Sequence, residues 1–161
     1  MLTQERLKEV LAYDPETGVA TWRVKRGRSH GRARAGYIGP DGYWLIMVDG
    51  KSYLLHRLAR FYMTGEWPKA DSDHINLDRA DNRWANLREA DRSHNNANSH
   101  VRSRSQTGFK GVRPHRNRFV AQITTGKGGV RYLGIRDTPE EAHALYVKAA
   151  QERFGEFARA E

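Results

Sequence analysis

A polar run in the middle of the chain contains side chains that could bind a cation and move a proton. Asp73 and His74 are adjacent, and Asn86 and Asn95 follow His74 by 12 and 21 residues. Carboxylate and amide oxygens suit a hard divalent cation, and a neutral imidazole suits proton abstraction near pH 7. On composition alone, however, an ordinary polar loop is the simpler interpretation of these residues.

The distribution of charge along the chain, unlike the overall composition, supports a cation site. The chain has 161 residues and a net charge of +9. Residues 1–70 carry net +5, residues 71–100 carry net −2 and residues 101–161 carry net +6. Two basic blocks therefore flank an acidic island. The basic blocks indicate a polyanionic partner, with nucleic acid as the first candidate, and the island could hold a cation beside a phosphate.

Several classes of protein are excluded by the composition. The chain has no cysteine, which rules out a disulfide framework, a zinc ribbon built on Cys, an iron–sulfur cluster and a thiol nucleophile. Hydrophobic residues make up 38%, and no apolar run approaches the roughly 18 residues that a membrane span needs. The N-terminal residues do not have the pattern of a secretory signal. We therefore expect a cytoplasmic protein with no membrane partner.

The elements that must position the polar run are short. Apolar periodicity and turn residues predict a helix over 3–12, a strand over 19–25, a hairpin over 43–55 and a helix over 56–64. The Asp49-Gly50 pair is the strongest hairpin signal, because a type I′ turn needs positive φ at both positions. Residues 26–36 are expected to form a loop. Residues 71–98 are expected to form a tight loop followed by a short helix.

The last third of the chain has a different pattern. Three strands are predicted over 111–115, 118–124 and 130–135. A helix then begins after Thr138, which is a good N-cap with Pro139 at the first helical position and Glu141 completing a capping box. Alternation on the second strand points one set of side chains at this helix: Phe119, Ala121 and Ile123. The other set faces outward: Arg118, Val120, Gln122 and Thr124.

Three further stretches precede or lie within the polar run, in a fixed order along the chain. They are Tyr53-Leu54-Leu55-His56-Arg57-Leu58, Thr64-Gly65-Glu66-Trp67-Pro68 and Asn86-Leu87-Arg88. With Asp73-His74 they make residues 40–98 resemble the HNH endonuclease family, and most closely its phage and intron-encoded homing endonucleases. The resemblance implies a ββα-metal fold, in which a two-stranded hairpin and a helix surround one divalent cation.

The resemblance also implies a role for each matching residue. Asp73 and Asn95 are expected to ligate one Mg²⁺ or Mn²⁺ ion. His74 is expected to be the general base that takes a proton from the attacking water, and Asn86 is expected to orient the His74 ring through a hydrogen bond. The implied products carry 5′-phosphate and 3′-hydroxyl ends.

Two further residues, His56 and Arg88, each have two possible roles. His56 either supports the site from behind the catalytic residues or has a structural role next to Arg57. Arg88 either clamps a phosphate or forms a surface salt bridge with Glu89 or Asp91. Many HNH proteins also carry two CxxC pairs that bind structural zinc, and because this chain has no cysteine we expect no structural zinc.

A second resemblance covers residues 108–157. It rests on Gly108-Phe109-Lys110-Gly111-Val112-Arg113, Phe119-Val120-Ala121-Gln122-Ile123, Tyr132-Leu133-Gly134 and Asp137-Thr138-Pro139-Glu140-Glu141-Ala142. These stretches resemble the DNA-binding domain of the plant ethylene-response-factor class, in which a three-stranded sheet lies in the major groove. The candidate DNA-binding residues there are Arg113, Arg116, Arg118, Gln122, Thr124, Lys127 and Arg131. Arg116 and Lys127 are expected to touch phosphates only.

The sequence thus predicts an α+β protein. Residues 1–98 are expected to form an HNH endonuclease domain (core 40–98) with an added antiparallel hairpin region. Residues 99–107 are expected to form an extended basic linker whose Arg102 and Arg104 lie along DNA, and residues 108–161 a three-stranded antiparallel sheet packed on one helix.

The expected function is site-recognising, metal-dependent cleavage of double-stranded DNA. The expected oligomeric state is a monomer that nicks one strand, with a dimer that cuts both strands as the alternative. The expected setting is a bacterial cell carrying a phage or prophage. A non-catalytic DNA-binding regulator that keeps a decayed nuclease fold is the alternative function.

Overall fold

The structure is a computed structural model that describes residues 2–25, 33–101, 105–126 and 128–159. The described chain is mixed α+β, with four α-helices and several small antiparallel sheets. It divides into two compact units, Met1–Asp91 and Arg92–Glu161. The sequence placed the first boundary after residue 98, whereas in the structure the helix Arg92–Asn98 belongs to the second unit. Within the described residues, no helix has the length and apolar character needed to span a membrane.

The first unit begins with a short helix and a hairpin. Helix α1 spans Gln4–Val10, and the Thr3 hydroxyl caps it by accepting a hydrogen bond from the Arg6 N–H at 3.2 Å. Strands β1 (Leu11–Tyr13) and β2 (Ala20–Trp22) pair antiparallel. The helix predicted over 3–12 is therefore wrong at its end, because pairing with β2 draws the last residues of that stretch into a strand.

A three-stranded sheet and a helix follow. Strands β3 (Tyr37–Ile38), β4 (Trp44–Val48) and β5 (Lys51–Leu54) lie in the order β3-β4-β5. The predicted hairpin is confirmed, since Asp49 and Gly50 both have positive φ, 46° and 76°. Helix α2 (Leu55–Thr64) begins directly after β5 and ends at the left-handed Gly65. Its buried face packs with β4 and α1 in the core of this unit.

The polar run forms a second hairpin, which the sequence patterns did not predict. Strand β6 (Asp71–His74) pairs antiparallel with β7 (Leu87–Ala90), and a single 3₁₀ turn, Trp84–Asn86, leads into β7. The prediction of a tight loop was wrong for these eight strand residues. They lack apolar alternation, and their pairing with one another decides their conformation.

The second unit contains helix α3 (Arg92–Asn98), strands β8 (Val112–His115), β9 (Arg118–Gly126) and β10 (Gly129–Arg136), and helix α4 (Pro139–Phe154). The sheet order is β10-β9-β8, and α4 packs against all three strands. The predicted cap of α4 is confirmed, because the Thr138 hydroxyl accepts a hydrogen bond from the Glu141 N–H at 3.3 Å. Small and aromatic residues of α4 close the core over Ile123.

Candidate active site

The β6–β7 hairpin places two of the predicted catalytic residues side by side. Asp73 and His74 are the last two residues of β6, and they lie opposite Arg88 and Leu87 of β7. Both polar side chains are buried. Burial of a carboxylate and an imidazole in one short strand costs free energy unless both have partners, so the contacts of each decide what the site can do.

The partner of Asp73 is the arginine directly across the hairpin. Arg88 Nε and Nη2 both lie near Asp73 Oδ2, at 3.0 and 2.9 Å, and the two side chains are 11% and 7% exposed. Neither interpretation of Arg88 from the sequence included this buried ion pair. The expected surface partner Glu89 instead lies 2.9 Å from Arg60. Arg88 therefore neutralises and orients the Asp73 carboxylate.

Two rings surround the imidazole of His74. The His56 ring, on the first turn of α2, stands edge-on at a centroid distance of 5.0 Å. The Tyr43 ring lies 5.9 Å from His74 and 5.3 Å from His56. The structure thus brings His56 against the predicted base, and together the three rings form one aromatic cluster.

Burial keeps both imidazoles neutral near pH 7. It lowers the pKa of His56 to about 3, with further lowering by the charges of His74 and Arg57. Burial also lowers the pKa of His74, against the opposing effects of hydrogen bonding by Asn82 and of nearby carboxylates, of which Asp73 has the largest effect. A neutral imidazole has a lone pair, and His74 can therefore accept a proton.

Asn86 organises the loop between the two strands. Its Oδ1 accepts a hydrogen bond from the Asn76 N–H at 3.0 Å. Its Nδ2 donates to Asn76 Oδ1 at 3.0 Å and to the Asp81 carbonyl at 2.8 Å. The sequence predicted that Asn86 orients the His74 ring, whereas these three amide contacts all go to the loop.

A second asparagine of this loop, Asn82, is also buried. Asn82 is 2% exposed, its Nδ2 donates to the Ala80 carbonyl at 2.9 Å, and its hydrogen bonding raises the pKa of His74. From its sequence context, Asn82 is expected only to form hydrogen bonds within its loop. No pattern in the sequence distinguishes it from the other asparagines of this region, because its burial is decided by packing.

The second predicted metal ligand lies in the second unit. Asn95 is a half-buried residue of α3, and Asp73 belongs to the first unit. The pairing of these two residues around one cation stays a prediction.

Comparison with known families identifies this region. Residues 53–97 match the family model described as HNH endonuclease. Over this stretch the chain is similar to the HNH endonuclease family, and residues 53–97 are called the HNH domain below. It contains Asp73, His74, Asn86 and Asn95, and it implies DNA as the substrate of a nuclease. A search among curated proteins and a search among solved structures each gave no match.

HNH nucleases typically use one divalent metal ion. Among the described residues, no three His, Cys, Asp or Glu side chains group as a metal site. Mg²⁺ needs fewer protein ligands than zinc, because it keeps several waters and binds through one or two carboxylates. A carboxylate has about four acceptor positions, and both of these Arg88 contacts go to one oxygen of Asp73, Oδ2.

The family match ends before the sheet of the second unit, where several predicted DNA-binding residues share one face. Arg113 Nε donates to Gln122 Oε1 at 3.1 Å, and Arg118 Nε lies 2.7 Å from Asp137 Oδ1. Arg113, Arg118 and Thr124 are exposed, and Gln122 is half-buried. Val120 is also on this face by its parity, yet it is buried.

The register of β10 changes the composition of this face. Tyr132 lies opposite Gln122 and Val130 lies opposite Thr124, and these two side chains are 62% and 57% exposed. Arg131 lies opposite Ile123, which belongs to the helix side of the sheet. The expectation that Arg131 lines the outer face is therefore wrong in position, and an aromatic and an aliphatic side chain stand there instead.

Of the remaining residues predicted to contact DNA, one lies in a described turn and three lie outside the described residues. Arg116 is exposed in the turn between β8 and β9, where it has a φ of 53°. Arg102, Arg104 and Lys127 lie outside the described residues, as does most of the loop predicted over 26–36. The described start of the predicted linker belongs to the second unit, where Lys110 Nζ donates to the Ser99 carbonyl at 2.7 Å.

Proposed function

We propose that this chain is a metal-dependent DNA endonuclease of the homing type, in which His74 is the general base. The observation that carries the proposal is a carboxylate and a neutral, buried imidazole side by side at the end of β6, inside an HNH domain. A neutral imidazole whose ring is held by neighbours on several sides is suited to repeated proton transfer.

In the proposed reaction, His74 takes a proton from a water molecule as that water attacks the phosphorus. The new bond joins the water oxygen to phosphorus, and the bond between phosphorus and the 3′ oxygen breaks. The leaving 3′ oxygen takes up a proton from solvent, so the products carry 5′-phosphate and 3′-hydroxyl ends. A Mg²⁺ or Mn²⁺ ion held by Asp73 and Asn95 would polarise the scissile phosphate and stabilise negative charge on the leaving oxygen.

We further propose that the outer face of the β8-β9-β10 sheet binds the DNA, as the resemblance to the ethylene-response-factor class implies. Arg113 and Gln122 are exposed enough to meet base edges or phosphates, and Arg can contact guanine through two hydrogen bonds. The linker residues Arg102 and Arg104 would add phosphate contacts. One HNH domain per chain favours a monomer that nicks one strand.

The ion pair between Asp73 and Arg88 favours a second candidate function. A carboxylate that is already neutralised by a buried guanidinium could reflect a site that no longer needs a cation. The protein would then be a DNA-binding regulator that retains the nuclease fold without cleaving.

Cleavage of supercoiled plasmid with Mg²⁺ or Mn²⁺, and with EDTA as the metal-free control, separates the two candidates. We expect wild-type protein to cut and His74→Ala to lose activity by at least about 100-fold, because a general base contributes on that order. His100→Ala is the matched control, since His100 is an exposed histidine outside the HNH domain. Both variants should bind DNA as wild type does.

Two results would count against the proposal. DNA binding without cleavage of any tested substrate by wild-type protein would support the regulator. Undiminished cleavage by His74→Ala would remove His74 from the role of base.

A further inference from the structure

The arginine that the sequence offered as a phosphate clamp is engaged within the protein. Arg88 is paired with Asp73, and its side chain is 11% exposed. Two further arginines of the HNH domain, Arg60 and Arg83, are also paired with carboxylates. These three guanidinium groups already have charged partners, which leaves a phosphate near His74 to be met by another cation.

Arg79 lies on the aromatic cluster that surrounds His74. It belongs to the loop between β6 and β7, and its guanidinium carbon lies 4.7 Å from the centroid of the Tyr43 ring. The same Tyr43 ring lies 5.9 Å from the His74 ring. The guanidinium is therefore no farther from the His74 ring than these two distances combined. That span corresponds to about three nucleotides, at roughly 3.4 Å of helix axis for each nucleotide of a strand.

The turn between β3 and β4 holds the Arg79 side chain in place. Arg79 Nη1 donates to the Asp41 carbonyl at 2.7 Å, and a Cβ added at Gly42 would lie 3.8 Å from Arg79 Cδ. The turn is closed by hydrogen bonds of its own, from the Gly39 N–H to the Tyr43 carbonyl at 2.8 Å and from the Gly42 N–H to the Gly39 carbonyl at 2.9 Å. This turn precedes the residues that match the HNH family, so the support for Arg79 comes from outside the match.

The groups that hold Arg79 leave it its positive charge. They are a peptide carbonyl and the face of a ring, and both are uncharged. The two carboxylates nearest to it along the chain have other partners, since Asp78 Oδ1 accepts a hydrogen bond from the Ala80 N–H at 2.9 Å and Asp81 pairs with Arg83. Arg79 is exposed, and a guanidinium has five N–H donors, so the contact of Nη1 with the carbonyl leaves it donors for phosphate oxygens.

We propose that Arg79 binds a phosphate of the DNA strand that is cut, within about three nucleotides of the scissile bond, and that Tyr43 and the β3–β4 turn hold its guanidinium for this contact. The distance to the scissile bond rests on the proposed function, whereas the contact with a phosphate can be measured without cleavage. A guanidinium that is already stacked and hydrogen-bonded loses little freedom on binding, so the contact adds to affinity.

Substitutions in the full chain test this contact. Arg79→Gln removes the guanidinium. Arg83→Gln is the matched control, because Arg83 is an exposed arginine of the same loop that is paired with Asp81. Tyr43→Leu removes the ring under the guanidinium, and it is also combined with Arg79→Gln because Tyr43 contacts the His74 ring as well.

The first readout is the affinity for a mixed-sequence DNA duplex, titrated at several salt concentrations in EDTA. We expect Arg79→Gln to weaken binding by about 10-fold, which is the loss of one charge-assisted hydrogen bond. The slope of log affinity against log salt should fall by about 0.9, because one phosphate is no longer neutralised. Arg83→Gln should keep the wild-type slope. Tyr43→Leu should weaken binding by itself and have no further effect in the presence of Arg79→Gln.

The second readout locates the phosphate. Single phosphates around the mapped cleavage site are replaced by uncharged methylphosphonates in otherwise identical duplexes. One replacement within about three nucleotides of the cut should weaken the binding of wild type and have no effect on the binding of Arg79→Gln, because the partner of that phosphate is already gone.

Several results would overturn the proposal. An unchanged slope in Arg79→Gln, with lower stability to urea, would show that Arg79 only ties its loop to the β3–β4 turn. An equal fall in slope for Arg83→Gln would mean that the total charge decides binding. Unchanged binding by Tyr43→Leu would remove Tyr43 from the support of Arg79.

Failure of this inference and failure of the proposed function are separable. If wild type cuts no DNA but the slope falls in Arg79→Gln alone, Arg79 is a phosphate-binding residue and the nuclease function fails. If wild type cuts DNA and Arg79→Gln is as sensitive as wild type to every methylphosphonate near the cut, the nuclease function stands and the contact fails.

Discussion

At the scale of single residues, the site is defined by two histidines that the protein keeps neutral. His56 and His74 are 5% and 4% exposed, and their rings are in contact. Two positive charges could not be placed there, since both would lose hydration and repel each other. The ordinary histidine pKa of 6.5 therefore applies to the unfolded chain, whereas burial lowers the pKa of His56 in the folded protein to about 3.

This difference predicts a loss of stability in mild acid. A histidine whose pKa is lowered by folding binds protons more readily in the unfolded state. The contribution of neutral His56 to the free energy of unfolding is therefore fully present above pH 6.5, and it is lost as the pH falls toward 3. From about pH 7 to about pH 5, His56 alone should reduce the free energy of unfolding by roughly 2 kcal/mol. His74 contributes in the same direction.

Urea unfolding across this pH range checks the prediction. His56→Phe keeps a ring in the cluster and removes the titration, so the loss between neutral and mildly acidic pH should shrink. His100→Phe, at an exposed histidine, should leave the loss as it is in wild type. Equal pH dependence in His56→Phe and wild type would contradict the assignment of the effect to His56.

At the scale of elements, close packing in the second unit requires a glycine at one position of the segment that leads into β8. Gly108 and Gly111 both have a φ of 73° in the segment that leads into β8. A Cβ at Gly111 would overlap the Tyr146 ring of α4, whereas a Cβ at Gly108 would have nothing within 4 Å. At Gly111 the backbone of this segment therefore packs against the Tyr146 ring with no space for a side chain. At Gly108 there is space for one.

The two glycines predict two different costs. Gly108→Ala should destabilise the unit by about 1–2 kcal/mol, which is the cost of a left-handed conformation for a residue with a Cβ. Gly111→Ala should cost that amount and roughly 1–3 kcal/mol more, because Tyr146 must move in a packed core. Thermal and urea unfolding of both variants measure the difference. Equal losses of stability in the two variants would mean that the Tyr146 ring can move aside without a measurable cost in free energy.

At the scale of the whole molecule, basic charge flanks the acidic island that contains β6. We propose that the second basic block binds phosphates through the outer face of the β8-β9-β10 sheet. Each phosphate contact releases counterions, so the affinity for DNA should fall as salt is raised.

A double variant tests the role of this face. Arg113→Gln with Arg118→Gln should weaken binding and reduce the slope of log affinity against log salt by about 0.9 for each phosphate that the variant no longer neutralises. Arg6→Gln is the control, because Arg6 is exposed but paired with Asp49 and Glu9 in the first unit. Titrations of a DNA duplex at several salt concentrations give the slopes. A slope equal to that of wild type would exclude phosphate binding by these arginines.

Local chemistry explains what the sequence by itself determined. The Asp49-Gly50 turn and the Thr138 cap of α4 depend on residues next to each other, and both are confirmed. The HNH domain was predicted from ordered, spaced residues, and the family match to residues 53–97 confirms it. The roles of Asn86 and Asn95 and the DNA-binding role of the second unit stay predictions.

Only the tertiary structure decided the features that depend on partners distant in the sequence. Strand β6 exists because β7 pairs with it, and Tyr132 replaces Arg131 on the outer face because register shifts in the β9–β10 pairing alter its parity. The pairing of Asp73 with Arg88 and the hydrogen bond from the Tyr13 hydroxyl to the Asn82 carbonyl join residues 15 and 69 positions apart. A residue pattern records spacing along the chain, whereas these contacts are set by how separate elements pack, and packing also decides which of several similar asparagines are buried.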